Sequence, residues 1–285
     1  MLNEKINLTE TAKLETYILN NSKEYNVNKK KPLVLVLPGG GYIFTSDREA
    51  EPIALKFNSV GFHSAVLWYT VGDKVKNVPR NALIEAAKAI KYIREHADEW
   101  CVDTDKIIVC GFSAGGNLAL QIATKWNEEW LINELGTTKD MLKVNLAIPS
   151  YPAANANVFE SDDKGFAAGL VENPNTANER IFGSTIPSEE EIYNFDVMNF
   201  IDDETPPMFI WHTYEDVLTD VTNALNLAVN LQKNKIPFEL HIFEKGEHGL
   251  ALADRTTARK KSHFNSHVKQ WFTLCEEWIS EYLED

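Results

Sequence analysis

The chain has 285 residues, a net charge of −14 at neutral pH and 44% hydrophobic residues, with no apolar run near the ~20 residues of a membrane span. This composition excludes a disordered or collagen-like polypeptide and provides for a packed core. The acidic balance repels polyanions, so neither nucleic acid nor an anionic membrane is an expected partner.

From Pro32 onward, short runs rich in β-branched residues alternate with stretches of helical period. That is the pattern of a mostly parallel sheet covered by helices on both faces, an α/β fold expected as one domain over 1–285. Lys29, Lys30 and Lys31 form the only basic run ahead of it and read as a solvated turn. Residues 33–37, bounded by Pro32 and by Pro38-Gly39-Gly40-Gly41, predict a buried strand that ends in a tight loop. A helix near 52–58 leads to a strand at 63–69. Between Pro79 and Trp100, Leu83, Ala86, Ala87, Ile90 and Ile93 recur on one helical face. Ile107-Ile108-Val109-Cys110 predicts the next strand, a sharp turn falls at Ser113, and 118–126 continues as a helix towards a strand at 144–148.

Residues 150–206 break this rhythm with scattered Pro, Gly, Asn and acidic residues, and a loop of that length predicts a partial lid or a pocket-forming insertion. Regularity returns with a strand at 208–212, a helix at 217–233 and a last strand at 238–243. Phe264, Val268, Trp271, Cys275, Trp278 and Ile279 predict one face of a C-terminal helix, on which His263 and His267 share a side.

The sharpest chemical signal is Gly111-Phe112-Ser113-Ala114-Gly115-Gly116, because it stands between an apolar strand and a helix. In a G-x-S-x-G turn the serine is pushed into the open on a strained backbone, and the following helix aims its positive end at charge developing on a substrate oxygen. Serine is a weak nucleophile until a base takes its proton. His248 fits that role, since Glu247-His248-Gly249 lies in a loop directly after a strand, on the edge that faces Ser113. His241 reads as a packed or half-exposed strand residue. The acid is expected after the strand at 208–212, where Asp216 is preferred and Glu215 and Asp220 compete, each also readable as a residue of a helix first turn. Its task is to hold the imidazole in the right tautomer.

Pro38-Gly39-Gly40-Gly41-Tyr42 supplies backbone amides that a ligand can approach without side-chain obstruction, and one of them with the amide of Ala114 predicts an oxyanion hole. Neither G-x-G-x-x-G nor G-x-x-x-x-G-K-[ST] is present there, which counts against a phosphate cradle. Tyr42, Trp68, Tyr69, Tyr151 and Phe166 are candidates for the pocket wall, set against the commoner fate of aromatics as core.

Together these motifs resemble the α/β-hydrolase superfamily, and within it the esterases related to hormone-sensitive lipase and to bacterial acetyl-xylan or sugar-ester hydrolases. The resemblance implies an eight-stranded sheet, a Ser113–Asp216–His248 triad, and oxyanion donors at Gly40, Gly41 and Ala114. The family usually opens the glycine loop with histidine where this chain has Pro38. How the loop is braced is therefore open. The expected activity is hydrolysis of short-chain acyl esters through an acyl-enzyme, including acetyl groups on sugars, with no cofactor or metal. An amidase such as an arylformamidase, and a non-catalytic binding module on the same scaffold, stay as alternatives, and a homodimer stays open. Cys101, Cys110 and Cys275 make no C-x-x-C spacing and read as reduced thiols, while Met1-Leu2-Asn3-Glu4-Lys5 lacks the apolar region of a signal peptide, so a cytoplasmic location is the default.

Overall fold

Leu33, Leu35 and Leu37 pack on one face of the central sheet and Val34 and Val36 on the other, so a single strand seeds both halves of the core. The strand, β3 (Lys31–Leu37), is buried almost throughout because parallel neighbours flank it on each side. A computed structural model describes residues 1–72, 75–154 and 174–283 of the chain. Among these, eight strands form one sheet in the order β1-β2-β4-β3-β5-β6-β7-β8. They are β1 (Lys5–Asn7), β2 (Lys13–Tyr17), β3, β4 (His63–Trp68), β5 (Val102–Phe112), β6 (Leu146–Ser150), β7 (Met208–Thr213) and β8 (Phe238–Phe243). Strands β3 to β8 run parallel, and β1 and β2 add an antiparallel edge that the sequence pattern had not marked.

Helices cover both faces. α1 (Glu51–Asn58) and α9 (Trp271–Glu281) pack with Val34, Val36 and Ile108, while α2 (Val78–Glu95), α4 (Ala114–Lys125) and α8 (Thr222–Lys233) pack with Leu33, Leu35 and Val109. Every residue of α4 is buried, as befits a helix enclosed between the sheet and a second helical layer. α3 (Ala97–Trp100) and α5 (Glu129–Glu134) are short connectors.

Three boundaries differ from the sequence expectation. α8 begins at Thr222 rather than near 217, because residues 217–221 turn back under a carboxylate described below. α9 begins at Trp271, so Phe264 is half-exposed outside it, and His263 and His267 flank separate turns instead of sharing a helical face. Where residues 150–206 are described they hold two α-helices between loop segments: α6 (Pro174–Phe182) and α7 (Glu189–Phe195), α7 opened by a capping box between Ser188 and Glu191. Residues 155–173, with Phe166, lie outside the described residues.

The chain changes direction across the sheet at β3, with β4 on one side and β5 on the other. In open α/β sheets the crevice at such a switch point, beyond the carboxyl ends of the strands, is where ligands bind. The glycine loop after β3 and Ser113 after β5 both fall at that crevice.

Candidate active site

Ser113 follows β5 directly and has φ 55° and ψ −116°, a conformation a serine adopts only under constraint. Its amide donates to Ser150 O at the end of β6 (3.0 Å), which fixes the turn to the sheet. The flanking glycines are needed for close approach: a Cβ on Gly111 would lie 1.9 Å from Gly115 O, and one on Gly115 would lie 2.0 Å from Leu37 O. β5, α4 and the end of β3 therefore meet backbone to backbone at the serine.

His248, in the loop after β8, places Nε2 2.8 Å from Ser113 Oγ and Nδ1 2.6 Å from Asp216 Oδ2. Asp216 follows β7 and is 4% exposed; its other oxygen accepts the amides of Leu218 and Thr219, both at 2.9 Å. Burial works against its ionisation, but hydrogen bonds from His212 and His248 outweigh that and hold the carboxyl well below the usual range. The competitors stand elsewhere. Glu215 is exposed and pairs with Lys245 (2.7 Å), and Asp220 accepts the Thr222 amide at the start of α8 (2.8 Å). His241 is half-buried with Nε2 on Glu239 (2.6 Å), and His263 is buried with Nδ1 2.9 Å from Arg48 Nη2.

The glycine loop runs through Gly40 (φ 126°), Gly41 (φ 64°) and Tyr42 (φ 59°). Among the described residues no hydrogen bond takes up the amides of Gly40 or Gly41. The amide of Ala114, first in α4, has no intrahelical acceptor. The loop runs close to Ser113, since a Cβ on Gly39 would come 3.0 Å from Ser113 Cβ. The loop is braced without histidine at position 38. Tyr69 Oη donates to Pro38 O (2.5 Å), Gly39 N to Glu49 Oε2 (3.0 Å), and Tyr42 Oη to Asn117 Oδ1 in α4 (2.7 Å).

The aromatic wall expected from sequence is largely bracing and core. Tyr42 and Tyr69 are 1% and 2% exposed, and their hydroxyls are engaged as above, so they hold the loop rather than face a ligand. Trp68 points to the antiparallel edge, its Nε1 donating to Glu15 in β2 (2.9 Å). Tyr151 does reach the site, but from beneath: it is buried, with its ring edge-on to His248 at 5.1 Å between centroids. Sequence reasoning passed over Glu49, Tyr69's bracing role, Asn117 and His212. Only Asn117 left a trace, as a poor helix former in the apolar first half of α4.

A cavity of about 340 Å³ lies apart from this site, among α2, α4, α6 and α7, with Asn77, Lys125, Trp130 and Phe200 in its wall. Lys125 lies buried there against Gln121 and Asn194, and burial pushes its ammonium down to about 8. Among the described residues no group of three His, Cys, Asp or Glu is placed to hold a metal ion, and no helix is long and apolar enough to cross a membrane.

The family model BD-FAE matches residues 19–231. A solved α/β hydrolase, MGS-M1 from a deep-sea metagenome library of the Medee basin, is 31% identical over 100% of this chain and 99% of its own, with a TM-score of 0.76. The acetyl ester-xyloside bifunctional hydrolase of Caldicellulosiruptor lactoaceticus is 29% identical over 98% and 96% of the two chains, with a TM-score of 0.77. Endo-1,4-beta-xylanase B of Butyrivibrio fibrisolvens is 30% identical over 232 residues, which are 81% of this chain but 34% of that protein. The chain spans between a third and a half of the length of the curated relatives it matches.

Proposed function

Because the chain belongs to the BD-FAE family and is an α/β hydrolase, we propose that it is a serine carboxylesterase acting on short acyl esters, with acetylated sugars as its substrate class. One observation carries the reading: a single imidazole lies within hydrogen-bond reach of both a strained serine and a buried carboxylate.

In the proposed reaction His248 Nε2 takes the Ser113 hydroxyl proton as Oγ bonds to the ester carbonyl carbon. The carbonyl oxygen becomes an anion held by the amides of Gly40, Gly41 and Ala114. Collapse of that intermediate breaks the bond to the alcohol, which leaves with the proton from His248. Water then gives a proton to the same nitrogen and its oxygen bonds to the acyl carbon; collapse breaks the bond from that carbon to Ser113 Oγ, which takes the proton back from His248 as the acid leaves. Asp216 keeps Nδ1 protonated and stabilises the imidazolium without itself titrating. General-base catalysis contributes about 10²–10⁴ and each oxyanion donor about 10²–10³.

The sugar-ester assignment draws on the name of the Caldicellulosiruptor relative, an acetyl ester-xyloside hydrolase. Hydrolysis of acetylated xylose oligomers and of nitrophenyl esters from acetate to decanoate, by wild type and Ser113→Ala, tests both parts. Turnover of acetyl esters by wild type alone is the expected result. A preference for decanoate rejects the short-chain substrate, and equal turnover by Ser113→Ala rejects the serine mechanism.

A further inference from the structure

Two loops must be held in register for this chemistry, the glycine loop that carries the oxyanion donors and the 248–253 loop that carries the histidine. They come from opposite halves of the chain. Between them lies a single short turn, Asp47–Glu49, just before α1.

Glu49 in that turn is 4% exposed, an unusual position for a carboxylate, and no arginine or lysine forms an ion pair with it among the described residues. Its two oxygens serve the two loops separately. Oε2 accepts the Gly39 amide (3.0 Å), and Oε1 accepts the Tyr151 hydroxyl (2.7 Å). Tyr151 Oη in turn accepts the amide of Ala251 (3.1 Å), while its ring stands edge-on to His248. The next residue back works on the same loop: Arg48 Nη2 donates to Gly249 O (3.0 Å) and Nε to Thr257 O (2.5 Å). Ala251 and Ala253 have φ of 52° and 53°, conformations that alanine holds only when neighbours impose them. A burial cost of this kind is met by hydrogen bonds, and here one comes from the glycine loop and the other from Tyr151, which itself holds the histidine loop.

We propose that Glu49 is a positioning residue for the reaction, clamping the oxyanion loop and the histidine loop to one another through Gly39 on one side and Tyr151 and Ala251 on the other. The proposal rests on the serine-esterase reading of the site for its kinetic consequence, though not for the clamp itself. Only a carboxylate fits this position. A glutamine there has one acceptor oxygen for two donors. Whichever way its amide turns, either the Gly39 N–H or the Tyr151 O–H is left unpaired in a buried place.

The test uses Glu49→Gln, near-isosteric and so expected to fold, with Tyr151→Phe as the variant that cuts only the distal half of the clamp. kcat and KM for nitrophenyl acetate are measured beside amide hydrogen exchange in the segments 39–44 and 249–253. For Glu49→Gln the expected result is a kcat lowered about 10–100-fold with KM within about twofold, and faster exchange in both segments. Tyr151→Phe is expected to speed exchange in 249–253 only. Unaltered exchange in 249–253 in Glu49→Gln, or wild-type kcat in that variant, overturns the proposal. Wild-type turnover by Ser113→Ala instead counts against the esterase reading, and the exchange measurement then still decides whether the clamp exists.

Discussion

His212 Nε2 lies 3.4 Å from Asp216 Oδ2, the same oxygen that faces His248. Both side chains are fully buried. The tautomer of His212 follows from its other contact, because Nε2 is 2.8 Å from Thr219 O and a carbonyl can only accept. The proton is therefore on Nε2, and Nδ1 is buried with no hydrogen-bond partner among the described residues. His212 Nε2–H, given to Thr219 O, thus stands against Asp216 from behind as a longer polar contact, which helps keep the carboxylate ionised and fixed in the proposed reaction. Replacing it by phenylalanine should lower kcat about tenfold at unchanged KM, the weight of one long polar contact to an anion. A His212→Phe enzyme with wild-type kcat makes this contact idle.

Asp216 has two separable duties, since Oδ2 serves His248 and Oδ1 caps the amides of Leu218 and Thr219. Asp216→Asn keeps an oxygen for the caps but presents the wrong partner to the imidazole, and kcat should fall about 10⁴-fold with little change in Tm. Asp216→Ala should lose the same activity and about 1–3 kcal/mol of stability as well. Glu215→Gln is the control, because its exposed bridge to Lys245 contributes little. Should Glu215→Gln, rather than Asp216→Asn, abolish turnover, the acid has been misassigned.

How much of this was legible in the sequence depends on the range of the interaction. Ser113 could be found because its signal is local: strand, glycine, serine, glycine and helix are adjacent, and the steric reason for each glycine acts within a few residues. His248 and Asp216 were reachable because the ends of β8 and β7 lie on the same edge of the sheet as the end of β5. Glu49 and His212 carry no such mark. An acidic residue shortly before a helix and a histidine in an apolar strand read the same way whether they touch the loops around Ser113 and Asp216 or water. The bracing tyrosines show the converse error, since Tyr42 belongs to the glycine loop and yet turns its hydroxyl into α4. β1 and β2 escaped notice because three and five residues at a sheet edge give too few alternations to count.

Tyr69 answers how a glycine loop that begins with proline keeps its shape. Its hydroxyl is the donor to Pro38 O, and proline has no amide with which to anchor itself in return. Burial pushes the Tyr69 hydroxyl far above its ordinary value, with the charge of Glu49 adding to the effect, so it remains a donor at any working pH. Tyr69→Phe leaves a buried carbonyl unpaired, at a cost of roughly 1–3 kcal/mol, and Tm should fall by several degrees. Because the amides of Gly40 and Gly41 lie two and three residues after Pro38, labelling of Ser113 by a fluorophosphonate should slow by about tenfold or more. Unchanged labelling in a destabilised variant means that the remaining bonds of the loop suffice.

His63 gives the fold a defined weakness to acid. It is fully buried in β4, and its Nδ1 accepts the amide of Leu19 (3.0 Å), which requires the neutral ring. Burial, with Lys31 nearby, lowers its value from 6.5 to about 4. The unfolded chain therefore binds a proton below 6.5 that the folded chain refuses until about 4, so stability must fall as pH drops through that window and level off beneath it. The loss amounts to about 2–3 kcal/mol across the window. His63→Gln can accept the same amide through its side-chain oxygen but cannot titrate, so it should remove this component while leaving carboxylate effects in place. Urea unfolding of both proteins from pH 7 to pH 4 provides the comparison. The two stability curves should converge or cross as the pH falls, and curves that stay parallel show that His63 is not the proton-linked group.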